Sequence, residues 1–271
     1  MKIHHLNCGT MCPVCERLMH GKGSWLKPAK LCCHCLLIES SDRLILVDTG
    51  FGTEDIKNAN QRLGRSFQWL TRPKLDLSET AHYQLKALGF SPDDVTDIFP
   101  THLDLDHAGG LSDFPQATVH IYQAEVDYAL KPRFKDRTRY RALQFAHQPK
   151  WQRYAKAQNT WFGLNSFDCS KQLGLNLHIV PLIGHTWGHT GIAIQQDQEW
   201  LLHCGDAYFH HTELTDPTKM PFGLSLFEKQ VETDRTARLD SLEKLQYLKK
   251  NHPEINMFCA HDIEEFEKFK E

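Results

Sequence analysis

Short apolar runs divided by turn residues recur along the whole chain. Arg43–Val47 (RLILV) has the length and branching of a buried strand and runs into the turn Asp48-Thr49-Gly50. Lys2–Leu6 and Leu36–Glu39 read as strands before it, and Asp97–Pro100 and Thr118–Tyr122 as strands after it. Leu177–Pro181, Gly191–Ile194, Trp200–His203 and Ile255–Cys259 continue the series. Between them the apolar period lengthens to that of a helix. Glu79–Leu88 sets Ala81, Leu85 and Leu88 on one face, with Ser78 as cap and Gly89 as stop. Ser91-Pro92 opens a further helix, Glu125–Leu130 begins another, and Asp234–Lys250 carries Leu239, Leu242, Leu245 and Leu248 at threefold spacing. Strands and helices recur in both halves without a linker or internal repeat. The pattern predicts an α/β fold in a single domain over residues 1–271, with layered sheets and helices.

One stretch breaks the rhythm. Residues 131–156 hold nine Lys or Arg against a single acid, Asp136, with Phe134, Tyr140, Phe145, Trp151 and Tyr154 interleaved. We expect a basic, aromatic insertion at about 131–165. It is either a solvated helical excursion or a lid over a site for an anionic or acylated small molecule. The whole chain is nearly neutral, with 31 Lys+Arg against 34 Asp+Glu, which argues against a nucleic-acid partner. No apolar run approaches the ~20 residues of a membrane helix, and the first residues lack a signal-peptide core. The expectation is a cytoplasmic protein without a membrane partner; a homodimer is compatible with the sequence.

The 17 His and nine Cys change the picture further. Thr101-His102-Leu103-Asp104-Leu105-Asp106-His107-Ala108-Gly109-Gly110 places four metal-capable side chains within six residues, just after a predicted strand. Imidazole and carboxylate suit zinc, iron or manganese. In an extended loop His102, Asp104 and Asp106 share a side, and Gly109-Gly110 permits the turn that brings His107 in. His185 and His189 (GHTWGH), Asp206 after Gly205, and His261 after an apolar strand lie further on. Six of the nine Cys fall in the first 35 residues, among them Cys12-Pro-Val-Cys15 and Cys33-His34-Cys35. They read as buried thiols, an additional zinc site or a redox pair.

Together these motifs resemble the metallo-β-lactamase superfamily, in its order and over nearly the whole chain. The resemblance implies a four-layer αββα sandwich with two metal ions at one edge of the sheets. His102, Asp104 and His185 would hold the first metal, and Asp106, His107 and His261 the second. Asp206 would bridge them, His189 would support the site, and Asp48 would orient a ligand imidazole. One position departs from the pattern: Asp104 stands where hydrolases of the superfamily mostly have His. Zinc is the expected metal at both positions, but a carboxylate adds charge and a harder donor, which shifts the first position toward iron or manganese relative to an all-His site.

The implied chemistry is attack of a metal-bound hydroxide on a carbonyl, with Asp106 receiving the proton and Tyr208 stabilising the oxyanion. The similarity to the acyl-homoserine-lactonase branch, including a long N-terminal segment around Met11, makes a lactone or related ester the expected substrate. A thioesterase of the glyoxalase II type and a diiron redox enzyme related to flavodiiron proteins are the alternatives. Both usually carry a further domain, and only ten residues follow His261.

Overall fold

The computed structural model describes residues 1–269. Two six-stranded sheets carry the fold. The first runs β1 (Lys2–Met11), β2 (Leu31–Glu39), β3 (Leu44–Val47), β4 (Val95–Phe99), β5 (Thr118–Tyr122) and β6 (Lys150–Tyr154) in spatial order. Its first three strands pair antiparallel and the rest parallel. The second contains β7 (Asn159–Trp161), β8 (Leu164–Asp168), β9 (Leu177–Pro181), β10 (Thr190–Gln196), β11 (Glu199–His203) and β12 (Ile255–Phe258), ordered β12-β11-β10-β9-β8-β7. There only β11 and β12 run parallel.

The strand LILV shows why these runs fold as they do. All four residues of β3 are buried, and successive side chains serve different cores. Ile45 and Val47 point between the sheets, onto Ile179, Ile192, Leu201 and Phe258. Leu44 and Leu46 point outward, beneath Ala81, Leu85, Val126 and Ala129 of the covering helices. A strand covered on both faces reads as a continuous apolar run because each parity has its own buried layer. The outer face of the second sheet packs Val180, Leu202 and Met257 against Leu242, Leu245 and Leu248 of the helix Arg235–Asn251. The layer sequence is therefore helix, sheet, sheet, helix.

Several boundaries differ from the sequence reading, each for a local reason. The helix Ala81–Ala87 is capped by Thr80, whose hydroxyl accepts from Tyr83 N. Ser78 instead sits in the preceding 3-10 turn, held by Asp76. Ser91-Pro92 opens only a 3-10 turn before β4. Leu239 is exposed although Leu242, Leu245 and Leu248 are buried. A spacing of three lags the helical turn by about 60° per step, so Leu239 ends ~180° from Leu248. The expected insertion divides into two parts. Phe134–Asp136 and Ala142–Phe145 form 3-10 turns, and 150–168 supply the edge strands of both sheets. Trp151 packs on the first outer core and Tyr154 between the sheets, while Lys150 and Arg153 remain on the solvent side of the edge.

The C-terminal ends of β3, β4, β11 and β12 and the β9–β10 turn meet at one edge of the sandwich. Backbone bonds from Asp48 N to Phe99 O, Thr190 N to Thr101 O, Cys204 N to Phe258 O and His34 N to Ala260 O lock these ends together. Leu245→Ala should cost about 2–5 kcal/mol of unfolding free energy through the cavity it leaves. Leu239→Ala should cost less than about 0.5 kcal/mol, being exposed. Urea denaturation of the two variants checks the corrected helix face.

Candidate metal centre

The strand ends deliver their polar residues by unusual backbone. Asp48, ending β3, has a left-handed φ of 55°, a conformation that Asp tolerates better than most residues. It turns its carboxylate under the following loops: Oδ1 accepts from Thr101 N at 2.7 Å and Oδ2 accepts from Thr101 Oγ1 at 2.9 Å. Gly205 has φ 54°, and a Cβ there would lie 2.6 Å from His189 Nε2. Only glycine lets the chain pass so close and place Asp206 beyond it. His102 and Asp104 lie in the loop after β4, and Asp106 and His107 on the single helical turn Leu105–Ala108.

Hydrogen bonds fix which ring nitrogens face inward. His107 Nδ1 donates to Asp48 Oδ2 at 2.8 Å, and His261 Nδ1 donates to the Cys32 carbonyl at 2.7 Å. His102 Nδ1 lies 3.0 Å from Thr101 Oγ1, which spends its own proton on Asp48. The Nε2 atoms of His102, His107 and His261 are thereby left as inward lone pairs. Asp206 faces both halves of the site. Its Oδ1 lies 3.3 Å from His107 Nε2 and 3.2 Å from His261 Nε2. Its Oδ2 lies 3.4 Å from His185 Nε2 and 3.9 Å from His102 Nε2. Asp104 Oδ2 completes the first half, 3.3 Å from His102 Nε2 and 3.1 Å from His185 Nε2. Asp106 Oδ2 completes the second, 3.5 Å from His261 Nε2.

This donor set fits two divalent cations. His102 Nε2 and Asp206 Oδ1 are buried without a hydrogen-bond partner among the described residues. The Nε2 atoms of His107 and His261 lie 3.3 Å apart, with their Nδ1 protons already committed. Three carboxylates and four imidazoles in one buried space require compensating positive charge. The local field says the same. Burial disfavours a charged His107, yet Asp206 and Asp48 outweigh it and hold this ring well above the usual imidazole range. An environment that retains a proton at Nε2 also attracts a metal ion there, and the two compete for one lone pair.

His189 stands apart from this set. Its Nδ1 donates to Leu182 O at 2.8 Å and its Nε2 accepts from Asp206 N at 2.9 Å, so both nitrogens are engaged in aiming Asp206. Tyr208 requires correction. It is fully buried, and its hydroxyl lies 3.0 Å from both oxygens of Glu265, away from the cavity that opens on the site. Its position two residues beyond Asp206 turns it into the second sheet's outer core instead.

Three further residues border the site. Glu125 is wholly buried; Oε1 accepts from Leu103 N at 2.9 Å and Oε2 from Gly188 N at 3.1 Å, bracing both ligand loops at once. An acid beside Val126 on the buried face of a helix was its one signal. Arg139, on the 134–145 segment, donates from Nε to Asp104 Oδ1 at 2.5 Å and from Nη2 to Asp104 Oδ2 at 2.6 Å. Cys33 sits in β2 with its sulfur close to ligand atoms of Asp106 and His261. The remaining early cysteines Cys8, Cys32 and Cys35 are buried in β1 and β2, with Cys12 and Cys15 half-buried.

A cavity of about 790 Å³ opens over Asp104, Asp106, His185, Asp206 and His261. Met11, Met19, Leu31, Phe67, Leu226 and Phe227 give it apolar lining, and Arg139 and Trp187 line it as well. Arg141, equally basic, turns away and binds the Gln61 carbonyl.

Comparison with known proteins agrees with this geometry. Residues 31–260 match the family model of the metallo-beta-lactamase superfamily. A probable metallo-hydrolase of Mycobacterium tuberculosis is 37% identical over 264 residues, which is 97% of this chain and 80% of that protein. An N-acyl homoserine lactonase of Bacillus thuringiensis is 27% identical over 233 residues, 85% of this chain and 81% of that protein. Among solved structures, a B. thuringiensis AiiA variant with N-decanoyl-L-homoserine at its active site superposes with a TM-score of 0.73. It is 22% identical, covering 98% of this chain and 95% of that one. The dizinc quorum-quenching lactonase AidC gives a TM-score of 0.63 at 21% identity, covering 96% and 86%. The chain belongs to the metallo-beta-lactamase superfamily.

Proposed function

We propose that the protein is a dinuclear metal-dependent hydrolase of a lactone or related ester. The observation that carries this reading is the divided carboxylate of Asp206, with one oxygen toward His107 and His261 and the other toward His102 and His185. His102, Asp104 and His185 would hold one ion, Asp106, His107 and His261 the other, with zinc the expected metal at both. Asp104 supplies the first position with a donor that iron or manganese also accepts. Bound ions would supply an ionised water near neutral pH and polarise a carbonyl.

The chain's own residues do the rest. Asp48, through His107 Nδ1, and the Cys32 carbonyl, through His261 Nδ1, hold two imidazoles in the orientation that leaves Nε2 free. Asp106 lines the cavity, and its carboxylate would take a proton from the attacking water. The walls from Met11, Phe67 and Leu226 suit an acyl chain by size and polarity. The lactonases among the similar proteins support this substrate class.

Metal analysis of protein purified without added metal, with lactone and ester turnover on the same sample, tests the reading. About two zinc per chain with lactone hydrolysis is expected; two irons without turnover of any ester would sink it. Asp48→Asn should weaken metal binding by roughly 10- to 100-fold, read by chelator competition, because it loosens the His107 ring without removing a ligand. Tyr208→Phe should leave kcat and KM within about twofold. Its cost of about 1–3 kcal/mol should appear in unfolding, through the buried Glu265 carboxylate that loses a donor.

A further inference from the structure

Arg139 touches more than Asp104. Its Nη2 also lies 2.7 Å from His185 Nε2, and its Nη1 donates to the Val231 carbonyl at 2.7 Å. The guanidinium therefore engages two of the three side chains assigned to the first metal position. The second position is different: none of the hydrogen bonds or ion pairs of Asp106, His107 and His261 involves an Arg or Lys among the described residues.

The two contacts of Arg139 have unequal consequences. A carboxylate has about four lone-pair sites, so Asp104 can accept the guanidinium fork and still offer Oδ2 to an ion. An imidazole nitrogen has a single lone pair in the ring plane. His185 Nε2 either accepts from Arg139 or binds a metal, and cannot do both. A guanidinium held this near a divalent ion is also repelled by it in a low-dielectric site. The Val231 carbonyl and Asp104 offer Arg139 anchors that survive its withdrawal from His185.

We propose that Arg139 controls loading of the first metal position, competing with the ion for His185, so that the two positions bind metal with unequal affinity. The proposal rests on the two-metal reading above. The Asp106, His107 and His261 position fills first; the His102, Asp104 and His185 position fills only as Arg139 gives way.

Zinc titration of the full chain against a chromogenic chelator tests this without reference to turnover. The wild-type protein should bind one equivalent tightly and one more weakly. Arg139→Gln should tighten the weaker equivalent on the order of tenfold or more and leave the tighter one within about twofold. Arg139→Lys keeps the charge but lacks the fork that reaches both partners, and should fall between; it also serves if the glutamine variant does not fold. Equivalents unchanged by either substitution, or a weaker equivalent that loosens further, would overturn the proposal and leave the metal centre standing. Failure of every variant to bind zinc would instead overturn the two-metal reading, and this proposal with it.

Discussion

Convergent lone pairs are the constraint on which the rest of the structure depends. Four imidazoles and three carboxylates point into one buried space, and several of their atoms have no hydrogen-bond partner among the described residues. Such an arrangement is unfavourable for an isolated chain, because buried acceptors repel and lose hydration. It persists because the opposite side of each group is overdetermined. Asp48 carries His107 and Thr101, Thr101 carries His102, the Cys32 carbonyl carries His261, and His189 carries the Asp206 backbone. Each holder is itself buried, and each belongs to the end of a strand in one of the two sheets.

The double sheet follows from that requirement. Ligands on one sheet would approach from a single side. Here the first sheet contributes the loop after β4 and the Asp48 turn, while the second contributes His185, Asp206 and His261. The bonds between strand ends across the edge, such as His34 N to Ala260 O and Thr190 N to Thr101 O, register the halves to one another. Buried apolar layers on both faces of each sheet keep that register stiff, since close-packed cores resist sliding.

Much of this was legible in the sequence because the informative residues are local. The strand LILV, the Asp-Thr-Gly turn and the His-x-Asp-x-Asp-His run each declare themselves within a few positions. The edge strand Lys150–Tyr154 did not, because its two apolar contacts, Trp151 and Tyr154, fall on opposite faces and Lys150, Gln152 and Arg153 around them leave no alternation to read. Tyr208 shows the limit of reasoning by proximity in sequence. Two residues beyond Asp206, the chain had already turned, and the phenol packed beneath the second sheet onto Glu265. Glu125 as a site residue, and Arg139 as the partner of Asp104, were illegible for the converse reason. Their partners lie 22 and 35 positions away, and only the fold makes them neighbours.

The acid at position 104 then has a physical context that the sequence motif alone does not supply. Arg139 offsets its charge, and the same segment is tied down on both sides of that contact. Tyr140 donates to Glu125, the residue that braces both ligand loops, and Gln144 joins the buried Arg62–Asp55 pair. Arg62 in turn donates to the carbonyl of Gly109, at the end of the ligand-bearing turn, and Gly109 leaves no room for a side chain against Asp55. The segment around Arg139 and the loop from His102 to Gly109 are thus parts of one hydrogen-bonded unit. A change in either alters the other through buried, directional contacts rather than through diffuse charge. Two cations of this segment are engaged by the protein itself, Arg139 by Asp104 and Arg141 by the Gln61 carbonyl. What the cavity presents to a substrate is largely apolar surface together with the carboxylates and imidazoles of the site and the Arg139 that pairs with Asp104.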